Sequence, residues 1–356
     1  MVLKIRRSLN AEPVMHTRTI RENWAAELEK KRPDPFGLTK QQQEEVLAYW
    51  QRFTRVEDTG WADLYRKVTG MFSPAFVPPD IFYAEIDRVL NDPYEAFGVQ
   101  NKLLFRQLFH TVRQPELLLY REGGTFWDAD GAPLTAEQAL ERCRRKKEVV
   151  CKMPMYTCGG SGVRLLDPVR EEDALRRLLQ QPRLLVQAAL KQHPVLQAFQ
   201  PTSVNTLRIM TYLRENGEVV VLSAVLRMGS GRARVDNVSS GGCACGILLD
   251  GTLRSVGYTG SGQQIGRSPA GVPFAEAKIP GYPAAAACAM QLHRTVLPQF
   301  GLLGWDFAID PQEQPVMIEV NIGNCSIDFM QWCNGPLLGS YAEEILKRVY
   351  RVPLCE

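Results

Sequence analysis

The sequence lacks any apolar run long enough to cross a membrane. Its longest apolar stretches, 219–226 and 284–290, fall well short of the ~20 residues that a transmembrane helix needs. The basic N-terminus, MVLKIRRSLNAEP, is not followed by the apolar segment of a signal peptide. We therefore expect no membrane span and a cytoplasmic location.

Metal-binding and disulfide frameworks are also missing. The sequence has only four histidines, which lie far apart, and nine scattered cysteines with no zinc-ligand spacing. An odd number of cysteines without an export signal is typical of reduced thiols. Cys243 and Cys245 form a Cys-x-Cys pair, which we interpret as packing because no second ligand pair accompanies it. Cys158 is interpreted in the same way.

A strong excess of charge is absent as well. Lys and Arg total 42, Asp and Glu total 39, and the net charge is +3. A protein that coats nucleic acid would usually show a marked basic excess, so we expect no nucleic-acid partner. The hydrophobic content of 45% is enough for a core. At ~150 residues per domain, the length of 356 residues predicts two or three domains.

Turn and capping signals predict an α+β chain in three parts. Residues 1–100 have helical patterns, including a capping box that starts at Thr39, and we interpret them as a packing or substrate-shaping region. Residues 101–185 alternate short strands with helices, one of which is predicted to begin at Asp167-Pro168. Residues 186–356 contain an Asn-Gly hairpin signal and predict an antiparallel sheet with flanking helices.

The segment GWDFAIDPQEQPVMIEVN predicts a hairpin that carries a metal site. If Ile309 pairs with Val316, Asp306 lies directly opposite Glu319, and Asn321 shares the face of Glu319. Opposed carboxylates destabilise a sheet unless they are neutralised, and oxygen ligands suit Mg²⁺, with Mn²⁺ as a second option. The alternative is a solvent-facing polar edge, because a slip of one residue would turn these side chains to the other face.

A lysine in an apolar strand and a glycine-rich turn predict a phosphate-binding lid. Lys152 needs a partner in such a strand, and glycines let backbone amides approach an anion closely. A plain flexible turn explains the glycines equally well. The turn consists of Gly159, Gly160, Ser161 and Gly162.

Two arginines in apolar strands are candidates for binding an anion. Arg208 and Arg227 carry a side chain that matches phosphate oxygens in a bidentate manner and keeps its charge when buried. Structural salt bridges are the alternative.

In their order along the chain, these segments resemble the ATP-grasp superfamily and, more narrowly, the sugar-transfer-associated ATP-grasp family. The resemblance covers roughly 100–330 and implies a fold in which two α+β units clasp ATP. It implies a helical region at 1–100, a small lid unit at 101–185, and a C-terminal unit at 186–356 that carries the metal site. The matching pieces are Asn101-Lys102, EVVCKMP with GGSGV, LLVQAAL, QHPVLQAFQPTSVNTLRIMT, AVLRMGSGRARVDNVSSGG, and GWDFAID with MIEVN.

The resemblance also implies roles around the nucleotide base and sugar. Gln187 and the Ala188 carbonyl would face the adenine amino group, and the Leu190 amide would face a ring nitrogen. Either His193 or Asn205 would approach the ribose, and the long segment around His193-Pro194 leaves this choice open.

The remaining implied roles concern the phosphates. Lys102 and Lys152 would contact them beneath the glycine-rich lid. Arg208 and Arg227 would steady the γ-phosphate, and Asn237 with the Gly241-Gly242 turn would shape the acyl-phosphate side. The magnesium ligands would be Asp306, Glu319 and Asn321.

The function that this resemblance implies is ATP-dependent ligation of a carboxylate to an amine through an acyl phosphate. Its partners would be small-molecule substrates, and a sugar-linked acceptor fits the family's name. A kinase that phosphorylates a hydroxyl is the first alternative, and a non-catalytic nucleotide-binding protein is the second. The identity of the substrates and the oligomeric state stay open at this point.

Overall fold

The fold is α+β and contains two antiparallel sheets. The computed structural model describes residues 17–31, 37–56, 58–155, 162–231, 241–323 and 325–351. Across the described ranges no helix is both long and apolar enough to span a bilayer. The cysteines in the same ranges form no disulfide, and burial raises the pKa of the Cys143 and Cys151 thiols to about 12.

Short helices make up the described part of the N-terminal region, as the sequence predicts. Thr39 begins the second of them with a capping box, since its side chain accepts from the Gln42 amide while the Gln42 side chain accepts from the Thr39 amide. The helices are α1 (Thr17–Lys31), α2 (Lys40–Gln51), α3 (Gly60–Thr69), α4 (Pro79–Ile81), a π-helical turn (Phe82–Ile86), α5 (Asp87–Leu90), α6 (Pro93–Val99) and α7 (Phe105–Leu108).

A six-stranded sheet follows and has the strand order β3-β2-β1-β6-β4-β5. We call it the small sheet. The strand that comes last along the chain, β6, lies between β1 and β4, so the chain leaves the sheet from its middle. Its elements are β1 (Leu117–Glu122), β2 (Thr125–Asp128), β3 (Pro133–Leu134), α8 (Ala136–Arg144), β4 (Val149–Lys152), β5 (Arg164–Leu166), α9 (Glu172–Leu179) and β6 (Leu184–Ala188).

The helix expected to begin at Asp167-Pro168 begins later, at Glu172. Asp167 instead closes a turn, because its Oδ1 accepts from the amides of Val169 and Arg170 at 3.0 and 2.9 Å. Glu171 then leaves helical geometry, with φ −113° and ψ 31°. The predicted role of Asp167 as the N-cap of a helix is therefore wrong, and its side chain closes a separate turn before α9.

The rest of the chain builds a seven-stranded large sheet with the order β11-β10-β9-β8-β7-β12-β13. Its elements are α10 (Pro194–Phe199), β7 (Thr206–Leu213), β8 (Val219–Met228), β9 (Cys243–Ile247), β10 (Leu253–Thr259), β11 (Gln264–Ile265), α11 (Tyr282–Thr295), β12 (Leu302–Ile309), β13 (Pro315–Asn321), α12 (Ile327–Asn334), a 3₁₀ turn (Gly339–Tyr341) and α13 (Ala342–Tyr350).

The two faces of the large sheet pack against different partners. Ile209 and Trp305 belong to the core beneath α11. Met210, Tyr212 and Leu302 belong to a second core formed with the N-terminal helices, α12 and α13. Because side chains alternate along a strand, this second face also carries Gly304 and Asp306 of β12. The helical layer therefore lies beside the candidate site.

Candidate nucleotide and metal site

Arg208 and Asp306 form the centre of the candidate site. The antiparallel pairing of β7 with β12 sets them opposite each other. The Arg208 Nε and Nη2 atoms donate to the Asp306 Oδ1 and Oδ2 atoms at 2.5 and 3.0 Å, and Arg227 on β8 donates to Oδ2 at 3.2 Å. All three side chains are less than 10% exposed. Burial alone would raise the pKa of Asp306, but the charges of Arg208 and Arg227 outweigh it and lower that pKa.

Asp306 lies opposite Glu319, as the sequence predicts. The pairing assumed near the turn was wrong, however, because Ile309 pairs with Pro315 and Val316 pairs with Ala308. A β-bulge at Ile318 adds one residue to β13 and restores the predicted pairing beyond it. Glu319 also contributes to the lowering of the Asp306 pKa, which agrees with this pairing.

Two lysines lie near Glu319. The Nζ atom of Lys102 lies 3.4 Å from the Glu319 Oε2 atom, and these side chains are 11% and 28% exposed. Lys152 ends β4 of the small sheet and is buried. Burial lowers the pKa of Lys152 to about 8, against the opposite effect of Glu319 and with a further lowering by Lys102. The site therefore joins residues of the small sheet to residues of the large sheet.

Asn321 lies on β13, as Glu319 does, and its side-chain amide bonds to the neighbouring strand β12. Its Nδ2 atom donates to the Gly304 carbonyl at 3.2 Å, which leaves the side-chain oxygen for another contact. The donor set of Asp306, Glu319 and Asn321 consists of oxygens only and fits a hard cation. No group of three His, Cys, Asp or Glu side chains suited to a metal occurs in the described ranges. This set fits magnesium, which keeps waters and substrate phosphates in its shell.

The charges at the site favour an anionic ligand. Among the described residues, ion pairs and charge effects join four cationic side chains to two carboxylates here, and most of the six are buried or nearly so. An anionic ligand interacts strongly with cations in a buried, low-dielectric setting. The cations are Lys102, Lys152, Arg208 and Arg227, and the carboxylates are Asp306 and Glu319.

The predicted adenine-binding segment leaves the small sheet at the end of β6. The Ala188 amide donates to the Glu116 carbonyl at 2.9 Å, and the next amide, that of Ala189, donates to the Glu148 carbonyl at 3.0 Å. Gln187 reaches the Pro115 carbonyl at 3.5 Å. For the Leu190 amide, no backbone acceptor is found among the described residues.

The two candidates for a ribose contact both have structural partners. The His193 Nδ1 atom accepts from the Val195 amide at 3.2 Å and so caps α10. Asn205 is fully buried. Its Nδ2 atom donates to the Gln192 side chain and to the Leu196 and Gln200 carbonyls at 2.7–3.0 Å. A ribose contact by either residue stays a prediction.

Several predicted residues lie outside the described residues, namely Gly159, Gly160, Ser161 and Asn237. Gly162 and Gly241 are described and have φ values of +78° and +93°, which favour glycine. The Gly242 carbonyl accepts from the Gly260 amide at 3.0 Å, which ties this turn to the end of β10.

Sequence reasoning missed the contribution of Cys325. Its backbone carbonyl accepts from the Arg208 Nη1 atom at 3.0 Å, so the segment after β13 orients the guanidinium. Gly304 leaves room for this arrangement, because a Cβ there would lie 3.1 Å from the Cys325 Sγ atom and 3.6 Å from Arg208 Cδ. A backbone acceptor has no signature in the sequence, and Gly304 alone signals a close approach.

The match to a known family covers the part of the chain that carries this centre. Residues 178–347 match the family described as sugar-transfer associated ATP-grasp. The matched segment is just under half of the chain. The resemblance predicted from the sequence is thus confirmed, and the match includes both arginines and the Asp306–Asn321 hairpin. Lys102 and Lys152 precede the matched segment.

Solved structures with a similar fold are ATP-grasp enzymes at low sequence identity. Biotin carboxylase from Campylobacter jejuni, solved as a β-γ-ATP complex, is 11% identical, with a TM-score of 0.46 over 75% of this chain and 50% of that chain. The biotin carboxylase domain of 2-oxoglutarate carboxylase from Hydrogenobacter thermophilus, solved with magnesium ADP and bicarbonate, is 11% identical, with a TM-score of 0.45 over 75% and 49%. D-alanyl-alanine synthetase A from Vibrio cholerae is 12% identical, with a TM-score of 0.42 over 73% and 65%.

The chain spans about half the length of the two carboxylase structures. A comparison with curated proteins gave no significant match.

Proposed function

We propose that this ATP-grasp chain is an ATP-dependent ligase that joins a carboxylate to an amine. The substrate carboxylate would attack the γ-phosphorus of ATP and release ADP. The amine would then attack the carbonyl carbon of the acyl phosphate, displace phosphate and form an amide. The observation that carries the proposal is the meeting of four cations and two opposed carboxylates where the small and large sheets approach each other.

Arg208 and Arg227 would stabilise the charge on the transferred phosphoryl group. Asp306 and the Cys325 carbonyl fix the Arg208 guanidinium through three hydrogen bonds, so little reorganisation is needed when charge develops. Preorganised cations of this kind are the main protein contribution to phosphoryl transfer.

Lys102 and Lys152 would bind the phosphates of ATP. Both lie next to Glu319, and Lys152 is buried without a matching carboxylate of its own at ion-pair distance among the described residues. A phosphate would stabilise the charged form of Lys152. We keep Gly159, Gly160, Ser161 and Gly162 as the proposed lid.

Glu319 and Asn321, together with Asp306, would hold magnesium, which would neutralise phosphate charge when bound. Asp306 shares its oxygens with two arginines, so it would orient the site as well as bind the ion. Asn237 keeps its proposed role on the acyl-phosphate side.

The adenine ring would bind at the exit of β6. Gln187 and the Ala188 carbonyl would face its amino group, and the Leu190 amide would donate to a ring nitrogen. In this proposal, residues 1–100, 101–185 and 186–356 act as helical wall, lid unit and metal-carrying unit. The ATP, ADP and magnesium present in the similar carboxylase structures support the choice of cofactors.

The first test is a thermal-shift titration of wild type and Glu319→Gln with ATP, with and without magnesium. Ligand at 100 times its dissociation constant should stabilise the wild type by about 2.7 kcal/mol. We expect this shift to need magnesium and to be lost in Glu319→Gln, while Glu215→Gln, an exposed change on the turn after β7, keeps it. No shift in the wild type would overturn the nucleotide site.

A second test separates the ligase from a kinase. Wild type with ATP, magnesium and a panel of carboxylates is treated with hydroxylamine, which traps an acyl phosphate as a hydroxamate. A hydroxamate that forms only with ATP supports the ligase. A stable phosphoester on a hydroxyl compound would instead make the chain a kinase, and binding without either product would favour a non-catalytic protein.

A further inference from the structure

The β-bulge at Ile318 decides which face of the large sheet Glu319 occupies. Near the turn, Phe307 pairs with Met317, and continuing that register would set Glu319 opposite Trp305. Trp305 is fully buried in the apolar core under α11, where burying a carboxylate would be costly. Met317 and Val320 both belong to that core although they are three residues apart, which only an inserted residue permits in a strand.

The segment that precedes the small sheet lies along the open edge of β13. Gln100 Nε2 donates to the Ile322 carbonyl, and Lys102 lies beside Glu319. The Met317 amide donates to the Arg113 carbonyl at 2.9 Å. β13 is the last strand of the sheet, so this segment supplies an acceptor for the Met317 amide, which an edge strand would otherwise expose.

Arg113 makes a second contact with the same hairpin through its side chain. Its Nη1 atom donates to the Asp310 Oδ2 atom at 2.6 Å. Asp310 Oδ1 meanwhile accepts from the Gln312 and Gln314 amides at 2.9 and 2.8 Å, which closes the turn. Arg113 thus contacts the hairpin twice: its side chain binds Asp310 in the turn, and its carbonyl binds Met317, the residue just before the bulge.

We propose that Arg113 is a positioning residue for Glu319: it holds the bulge that turns the carboxylate towards Lys102 and Asp306. The proposal rests on the proposed function for its catalytic meaning, but the bulge itself does not depend on it. Arg113 acts through the Asp310 pair and the Met317 amide. Its side chain is 62% exposed, so its removal leaves no cavity in either core.

The test uses Arg113→Gln, Arg113→Lys and a matched control, Arg106→Gln. Arg106 is an exposed arginine in the same segment that pairs with Asp130 and lies away from β13. Hydrogen–deuterium exchange of the full chain without nucleotide is followed for peptides covering 315–321. We expect exchange there to rise at least threefold in Arg113→Gln, to return towards wild type in Arg113→Lys, and to be unchanged in Arg106→Gln.

Unchanged exchange of 315–321 in Arg113→Gln would overturn the proposal whether or not the chain binds ATP. The second readout is the magnesium concentration that gives half-maximal ATP binding by calorimetry. We expect Arg113→Gln to need three- to tenfold more magnesium, and an unchanged requirement would overturn the positioning role. Absence of magnesium-dependent binding in the wild type would sink the proposed function instead, and the exchange result would still decide the role of Arg113.

Discussion

Arg208 and Asp306 face each other across neighbouring strands, and one guanidinium donates to both oxygens of one buried carboxylate at 2.5 and 3.0 Å. Arg227 adds a third donor to the same carboxylate. Asp306 therefore stabilises the folded sheet in addition to any part in metal binding. Glu319 differs, because it is 28% exposed and its nearest partner, Lys102, lies 3.4 Å away.

This difference predicts losses of stability of very different size when the two carboxylates are replaced. Asp306→Ala leaves two buried guanidinium groups without their acceptor and should lower the free energy of unfolding by about 3–5 kcal/mol. Glu319→Ala removes a charge that is 28% exposed and should change the free energy of unfolding by less than about 1 kcal/mol. Urea unfolding of both variants checks this. Equal stability of the two would contradict the anchoring role of Asp306.

The lowered pKa of Lys152 predicts that the free energy of unfolding increases as the pH rises. Burial lowers its pKa from 10.5 to about 8 in the folded chain. Between these values the unfolded state carries the extra proton, so stability rises with pH, by at most about 3 kcal/mol. Urea unfolding of wild type and Lys152→Met at pH 8 and pH 10 isolates this contribution. A difference between the two proteins that does not change with pH would refute it.

The same lysine predicts that the affinity for ATP decreases as the pH rises. Only the protonated form of Lys152 attracts phosphate, so the affinity of the wild type for ATP should fall as the pH rises above about 8. Lys152→Met should bind ATP at least tenfold more weakly at pH 7 and lose this part of the pH profile. Calorimetric titrations at pH 7 and 9 measure both effects. Wild-type affinity in Lys152→Met would mean that the side chain does not contact the nucleotide.

His293 predicts a loss of stability in mild acid. It is fully buried, contacts Thr211 Oγ1 at 2.7 Å and the Phe300 carbonyl at 2.9 Å, and burial lowers its pKa from 6.5 to about 4. The unfolded state takes up a proton first as the pH falls from 6.5 to 4, so the folded state loses at most about 3 kcal/mol. Denaturation curves of wild type and His293→Gln at pH 7 and 5 should converge in acid, and parallel losses would exclude His293 as the cause.

Asn205 predicts a structural defect when it is replaced. Asn205→Ala removes donors to the Gln192 side chain and to the Leu196 and Gln200 carbonyls inside the protein, at a cost of about 2–4 kcal/mol. Thermal unfolding measures this cost. Affinities for ATP and for tripolyphosphate separate it from a ribose contact, since loss of ATP affinity alone would favour the ribose role.

The helices and strands that carry the site were predictable, because local sequence patterns determine them. The contacts between strands that are distant in the sequence were not predictable. The β12–β13 hairpin was predictable from its turn residues, and the pairing of Asp306 with Glu319 was predicted as well, although the predicted register near the turn was wrong and the bulge at Ile318 shifts it. The pairing of β7 with β12 joins positions 98 residues apart, so the sequence could suggest Arg208 as an anion ligand but not its contact with Asp306.

Backbone partners were invisible for a different reason. The Cys325 and Arg113 carbonyls carry no side-chain signature, and only the folded chain brings them to Arg208 and Met317.

One backbone contact links the two lysines mechanically. The Lys102 amide donates to the Pro154 carbonyl at 3.0 Å, two residues after Lys152 ends β4. A hydrogen bond between these segments makes the spacing of the two ammonium groups a property of one local unit. A rearrangement of the small sheet would then move both charges together, and we expect their proposed contacts with a triphosphate to form or break together.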